Sequence, residues 1–207
     1  MVFHRVWDQV FSTWSHVAVL RELQDSAHGS TGREIARLSG MNHRSCLQAL
    51  TELEGLALVR RVRGGRDHLF TLNREHLLVE AGILPLLALE RGFSRSMFAY
   101  LAKRLTKHAT SVIAFGSVAR NEETTSSDLD LCLVIRMEKH RATAEAAVHS
   151  VAPQLLSRYG AKLAPFIITR KGFVQKAKRN LPPVRDILKE GVVISGMSTK
   201  GLIGGKD

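Results

Sequence analysis

SVIAFGSVARNEETTSSDLDLCLVI, residues Ser111–Ile135, contains the features on which the fold prediction rests. It begins with a short apolar run, Val112–Phe115, whose length and composition are typical of a buried strand. A Gly-Ser pair ends that run, and a polar loop leads to an Asp-Leu-Asp sequence followed by a second apolar run. The segment therefore predicts two core strands joined by a tight turn and a polar loop.

Two carboxylates, Asp128 and Asp130, open the second run. Residues i and i+2 of a strand point to the same face, whereas Leu129 and Leu131 point to the other. Neighbouring carboxylates repel each other unless a cation lies between them, and Mg²⁺ prefers oxygen ligands of this kind. We therefore expect Asp128 and Asp130 to be metal ligands and catalytic residues.

The turn before the loop offers a place for phosphate. Gly116 has no Cβ, so a phosphate can approach its backbone closely. Ser117 and the amides after it are expected to form a helix N-terminus, which favours an anion, and Arg120 could contact the same phosphate. Phosphate at the turn and a metal on the carboxylates are the layout of nucleotidyl transfer, so Mg²⁺ with ATP or another NTP is the expected ligand.

The residues Phe-Gly-Ser-Val-Ala-Arg, a short loop and Ser-Asp-Leu-Asp-Leu resemble the signature of the DNA polymerase beta superfamily of nucleotidyltransferases, in particular its minimal branch. The resemblance implies transfer of a nucleotidyl group, with AMP from ATP as the first expectation. It also implies a third acidic residue on the strand after the next helix. That strand, predicted over 162–168, contains no Asp or Glu. Nucleotide binding could therefore persist where catalysis is slow or absent.

The first 73 residues show a different pattern. Helices are predicted over 16–26, over 32–39 with Thr31 and Glu34 as a capping box, and over 43–54 after the cap Asn42. Two β-prone runs around Gly64-Gly65 predict a hairpin. This order resembles the winged helix-turn-helix domains of bacterial and archaeal transcription regulators.

The resemblance implies DNA binding by two groups of residues. The start of the third predicted helix would face base edges, and the hairpin would meet phosphate or the minor groove. The first group is His43, Arg44, Ser45 and Gln48, and the second is Arg61, Arg63 and Arg66. The alternative is that these are solvated polar residues of a winged helix used for protein contacts, because this part of the chain is nearly neutral.

The predicted fold class is α+β, with four segments. They are a winged helix-turn-helix over 1–73, a helical linker over 74–108, a nucleotidyltransferase-like α/β domain with a small mixed sheet over 109–196, and a flexible tail over 197–207. In the linker, one helix is expected over 73–89 and another over 94–108, separated by Gly92. Their apolar faces could form the surface of a homodimer.

Bulk properties narrow the class of protein. The net charge of +11 indicates a polyanionic partner such as DNA or nucleotide, and most of the surplus lies after residue 73. No apolar run approaches the roughly 20 residues of a membrane span, and only two cysteines occur, so a cytoplasmic protein without a membrane partner is expected. Two functions remain open: a transferase whose acceptor is a nucleic acid, a protein or a toxin partner, and a DNA-binding regulator whose inactive transferase domain senses nucleotide.

Overall fold

A computed structural model describes residues 3–64 and 67–204 of the chain. The chain divides into two compact units, Met1–Gly92 and Phe93–Asp207, and each has buried hydrophobic cores of its own. The division falls inside the segment 74–108 that was predicted to be a separate linker. Within the described ranges, no helix is long and apolar enough to cross a membrane.

The first unit combines short helices with a three-stranded antiparallel sheet of order β1-β3-β2. Its elements up to the hairpin are α1 (Val6–Val10), α2 (Trp14–Gln24), β1 (Ser30–Thr31), α3 (Gly32–Ser39), α4 (His43–Gly55), β2 (Val59–Gly64) and β3 (Asp67–Leu72). The predicted caps are present: Glu34 N donates to Thr31 Oγ1 at 3.2 Å, and Ser45 N donates to Asn42 Oδ1 at 2.9 Å. Local signals therefore place α3 and α4 correctly, whereas β1 was not predicted.

The aromatic residues near the N-terminus lie on the surface of the unit. Trp7, Phe11 and Trp14 are exposed, and only Val10 of this segment is fully buried. The rings of Trp7 and Phe11 stack on each other with centroids 5.4 Å apart. The helix α1 has only five residues and buries Val10, which leaves Trp7 on its exposed side.

The expected break at Gly92 is absent. A π turn at Val79–Ile83 is followed by one continuous helix, α5 (Leu84–Leu105). Pro85 lies in the first turn of α5, where the missing N–H is tolerated. Gly92 costs a helix only about 1 kcal/mol relative to alanine. The buried residues Leu87 on one side and Met97 on the other offset that cost by packing.

The second unit is built on a mixed four-stranded sheet of order β6-β5-β4-β7. Its elements after α5 are a 3₁₀ turn (Thr106–His108), β4 (Ser111–Phe115), α6 (Gly116–Arg120), β5 (Leu129–Ile135), a 3₁₀ turn (Glu138–His140), α7 (Arg141–Tyr159), β6 (Leu163–Thr169), α8 (Arg170–Lys178), α9 (Val184–Glu190), β7 (Val192–Gly196) and α10 (Thr199–Gly204). β5 is parallel to β6 and antiparallel to β4, and β7 is antiparallel to β4. The small mixed sheet of an α+β protein is therefore confirmed.

Two layers of helices cover the two faces of this sheet. Leu129 and Leu131 pack with α7 and the end of α5, while Cys132 and Val134 pack with α8, α9 and α10 on the opposite face. The prediction of a flexible tail from residue 197 is wrong for Thr199–Gly204. These residues form α10, and its Leu202 is fully buried in the core that contains Cys132 and Val134. Residues Gly205–Asp207 lie outside the described ranges.

Candidate functional site

The Gly-Ser turn and the second carboxylate lie against each other. β4 and β5 pair with Phe115 opposite Asp130, so the turn that follows β4 is directly beside this aspartate. Gly116 has a φ of +72°, and a Cβ built on it would lie 2.2 Å from Asp130 Oδ2. Only glycine combines this backbone conformation with so close a carboxylate. The two motifs identified in the sequence therefore lie next to each other in the structure.

The two carboxylates differ in their surroundings. Asp128 is exposed and lies just before β5, whereas Asp130 is the second residue of the strand and is half-buried. Burial, with the negative charge of Asp128 as a second cause, raises the pKa of Asp130, and Arg120 opposes the rise. A cation bound between the carboxylates would relieve the cost of holding both charges there. The pair thus fits a hard divalent metal ion.

Arg120 is held by ion pairs with two carboxylates. Its Nε donates to Glu122 at 2.7 Å and its Nη1 donates to Glu190 of α9 at 2.5 Å. The pairs raise the pKa of Arg120, with the hydrogen bond to Glu122 as the largest cause. Arg120 therefore tethers α6 to α9. The role of Glu190 was missed because no local signal links residues seventy positions apart.

The described strand β6 supplies no third carboxylate beside Asp130. On the neighbouring parallel strand β6, the residue paired with Asp130 is Ala164, and the next position that faces the same side is Phe166. Within residues 3–64 and 67–204, no group of three or more His, Cys, Asp or Glu side chains could hold a metal ion. Any metal at this site would rely on two protein carboxylates and on ligand oxygens.

The raised pKa of Asp130 predicts how stability depends on pH. The folded chain keeps a proton on Asp130 at pH values where the unfolded chain has lost it, so this group destabilises the fold as pH rises through its folded pKa. Without metal ion, we expect Asp130→Asn to be more stable than the parent at pH 7.5, and the difference to vanish near pH 4. Urea unfolding in EDTA at both pH values measures this. A constant difference at the two pH values would contradict the prediction.

The residues predicted to read DNA bases occur together at the start of α4. His43, Arg44 and Gln48 are exposed and Ser45 is half-buried. One of these side chains is already engaged, because Gln48 Nε2 donates to Glu52 at 3.0 Å. At Ser45 it is the backbone N–H that donates, to the cap Asn42. Of the four, His43 and Arg44 therefore offer exposed side chains without a described hydrogen bond.

The three arginines predicted to contact phosphate from the hairpin differ in their surroundings. Arg61 Nη2 contacts Glu54 Oε2 at 2.5 Å, and its guanidinium carbon lies 5.7 Å from the centroid of the Phe70 ring. Arg63 is exposed on β2. Arg66 lies outside the described residues. Of the predicted residues that the structure describes here, Arg63 is exposed without an ion pair and Arg61 is paired within the unit.

One family model matches part of the chain. Residues 86–170, less than half of the chain, match the family model described as "Putative nucleotidyltransferase DUF294". The match supports a nucleotidyltransferase domain in this part of the chain and, at that coarse level, a function in nucleotidyl transfer. It includes the Gly-Ser turn and both aspartates. No curated protein and no solved structure matches the chain.

Proposed function

We propose that the second unit binds an NTP with Mg²⁺ and transfers its nucleotidyl group to an acceptor hydroxyl, with AMP from ATP as the first candidate. The observation that carries the proposal is the close approach of the expected phosphate turn to an expected metal ligand, since a Cβ added at Gly116 would lie 2.2 Å from Asp130 Oδ2. The family match to residues 86–170 supports the same reaction class.

Each residue has a distinct role in this proposal. Asp128 and Asp130 hold Mg²⁺, and the backbone of Gly116 and Ser117 receives the phosphates. The acceptor oxygen bonds to the α-phosphorus while the bond to the β-phosphate oxygen breaks and pyrophosphate leaves. Mg²⁺ neutralises the charge on the phosphates. Arg120 acts indirectly, because its pairs with Glu122 and Glu190 fix the position of α6.

The proposed reaction has no assigned general base for the proton of the acceptor hydroxyl. General-base catalysis typically contributes about 10²–10⁴-fold, and Ala164 stands where a carboxylate could accept this proton. The proton would pass to water. Slow transfer with intact binding of nucleotide is the expected behaviour.

The test compares the parent with Asp128→Ala and Asp130→Ala. Incubation with α-labelled ATP, Mg²⁺ and cell extract should label an acceptor, and both variants should lose the label. Glu123→Ala, which changes an exposed carboxylate of the loop outside the proposed site, is the matched control and should keep it. Loss of labelling in the control alone, or absence of both nucleotide binding and labelling in the parent, would contradict the proposal. Protease or nuclease treatment of the product distinguishes a protein or toxin acceptor from a nucleic-acid acceptor.

A second candidate function is a winged-helix DNA-binding regulator whose transferase domain senses nucleotide without turnover. The sheet order β1-β3-β2 and the exposed Arg44 at the start of α4 favour it, as does the alanine opposite Asp130. In this case Arg44→Ala should abolish salt-sensitive binding of duplex DNA while ATP binding remains. The exposed Leu86 and Leu89 of α5 are the surface on which a homodimer would form.

A further inference from the structure

The positive charge is concentrated in the second unit. Residues 93–207 contain nineteen Lys and Arg and nine Asp and Glu, whereas residues 1–92 contain eleven and ten. A surplus of this size creates an attractive potential for polyanions wherever its charges are not already neutralised.

Three adjoining cavities form one groove between the end of α5 and α7. Their volumes are 260, 590 and 390 Å³. The first two share Lys107, His108 and Thr143, and the last two share Arg104 and Gln154. We call this continuous depression the α5–α7 groove.

Five cationic side chains line the α5–α7 groove: Lys103, Arg104, Lys107, Arg136 and Arg158. No Asp or Glu lines any of the three cavities. Across the described part of the unit, none of the five cations forms an ion pair with a carboxylate, in contrast to Arg120 and Arg141, which do. The groove therefore gathers positive charge that the protein does not neutralise itself.

The floor of the groove is one stripe of α7. Thr143, Ala147, Ser150, Gln154 and Ser157 recur at intervals of three and four residues and leave an open surface of small or polar side chains. At 1.5 Å per residue, this stripe is about 21 Å long. One strand of a duplex carries a phosphate every 3.4 Å along the axis, so about six phosphates fit along the stripe. A single phosphate or a nucleotide would occupy only part of it.

The groove presents positive charge but little aromatic surface on which nucleic-acid bases could stack. Of the Phe, Tyr and Trp rings in the described chain, Tyr100 alone lines the groove, and the guanidinium carbon of Arg104 lies 3.7 Å from the centroid of that ring. With this ring occupied, recognition by base stacking is disfavoured. Contacts made by Lys and Arg with phosphates carry no sequence information.

The groove is separate from the candidate transferase site. α5 and α7 pack on the face of the sheet that receives Leu129 and Leu131, whereas Asp130 points to the other face. Arg136 follows the end of β5 and Asp130 lies near its start, so the two are also separated along the strand.

From these observations we propose that the α5–α7 groove binds nucleic acid through the phosphodiester backbone without regard to sequence. The inference does not depend on catalysis by Asp128 and Asp130. The α5–α7 groove is also a different surface from the one formed by the predicted DNA-reading residues of α4 in the first unit.

The test measures binding of the full chain to a labelled 24-base-pair DNA duplex of arbitrary sequence at 50 mM salt. The groove variant is Lys103→Gln, Lys107→Gln and Arg136→Gln. The matched control is Lys171→Gln, Lys178→Gln and Arg179→Gln, which removes the same charges from exposed positions at α8. We expect the groove variant to bind about 10²-fold more weakly, and the slope of log K against log salt to fall by about 2.7. The control should bind within threefold of the parent.

Several results would overturn the proposal. Equal losses in both triple variants would show a diffuse effect of net charge, and a loss with Arg44→Ala alone would place the duplex on the first unit. Complete displacement by inorganic tripolyphosphate at equal phosphate concentration would show that short phosphates suffice. Asp130→Ala should leave duplex binding unchanged, so failure of the proposed transferase and failure of the groove can be distinguished.

Discussion

Ala164→Asp is expected to increase nucleotidyl transfer by about 10²–10⁴-fold, the usual contribution of a general base. Ala164 is paired with Asp130 across the parallel strands β5 and β6, so the two side chains are neighbours on the same face. An aspartate here could accept the proton of the acceptor hydroxyl and add a third oxygen ligand for Mg²⁺. The measurement is the rate of label transfer from α-labelled ATP with Mg²⁺, for parent and variant.

Ala164→Asn is the matched control for that variant. Asparagine has nearly the same shape as aspartate but neither its charge nor its basicity, so it should leave the rate close to that of the parent. Addition of EDTA should abolish the gain. If the aspartate and asparagine variants transfer at the same rate, the missing base does not limit this protein, and the regulator hypothesis becomes the stronger one.

Gly116→Ala is expected to affect both stability and the site. The φ of +72° is unfavourable for alanine, and its Cβ would lie 2.2 Å from Asp130 Oδ2, so the turn or the carboxylate has to move. Backbone strain and overpacking together predict a loss of about 2–4 kcal/mol in the free energy of unfolding. Because the displaced group is a proposed metal ligand, binding of Mg²⁺ and ATP should also weaken by at least about tenfold. Urea unfolding and calorimetric titration measure the two effects.

Gly160→Ala separates the two causes. Gly160 ends α7 with a φ of +68°, and a Cβ there would have no neighbour within 4 Å. This variant should lose about 1 kcal/mol of stability and keep its nucleotide affinity. If Gly116→Ala behaves in the same way, the close contact with Asp130 has no influence on the site.

Features with a local signal were predictable from the sequence. The capping residues Thr31 and Asn42 fix the starts of two helices, and the Gly116-Ser117 pair after an apolar run indicated a tight turn. In each case a few adjacent residues determine the geometry through backbone conformation or a hydrogen bond within four positions. The alternation of β5 between two faces follows from the same short-range logic.

Features that depend on distant packing were not predictable. The pair of Arg120 with Glu190 joins elements seventy residues apart, and α10 forms because Leu202 is buried beside residues of other elements. Gly92 was expected to break a helix, but tertiary packing on both sides outweighs its low propensity. The ring stack of Trp7 and Phe11 shows the same limit, because composition cannot tell a core aromatic from a surface one.

The second helical layer of the sheet has a consequence for where the domain ends. The family match stops at residue 170, yet Ile113, Cys132 and Val134 of the central strands are covered by Phe173, Val184, Ile187 and Leu202. A chain cut at residue 170 would leave an apolar sheet face in water, together with an unpaired edge of β4 where β7 had been. The matched segment is thus an incomplete folding unit. Residues beyond it cover the sheet face toward which Asp130 points, so variation in that layer can reshape the candidate site without touching its signature.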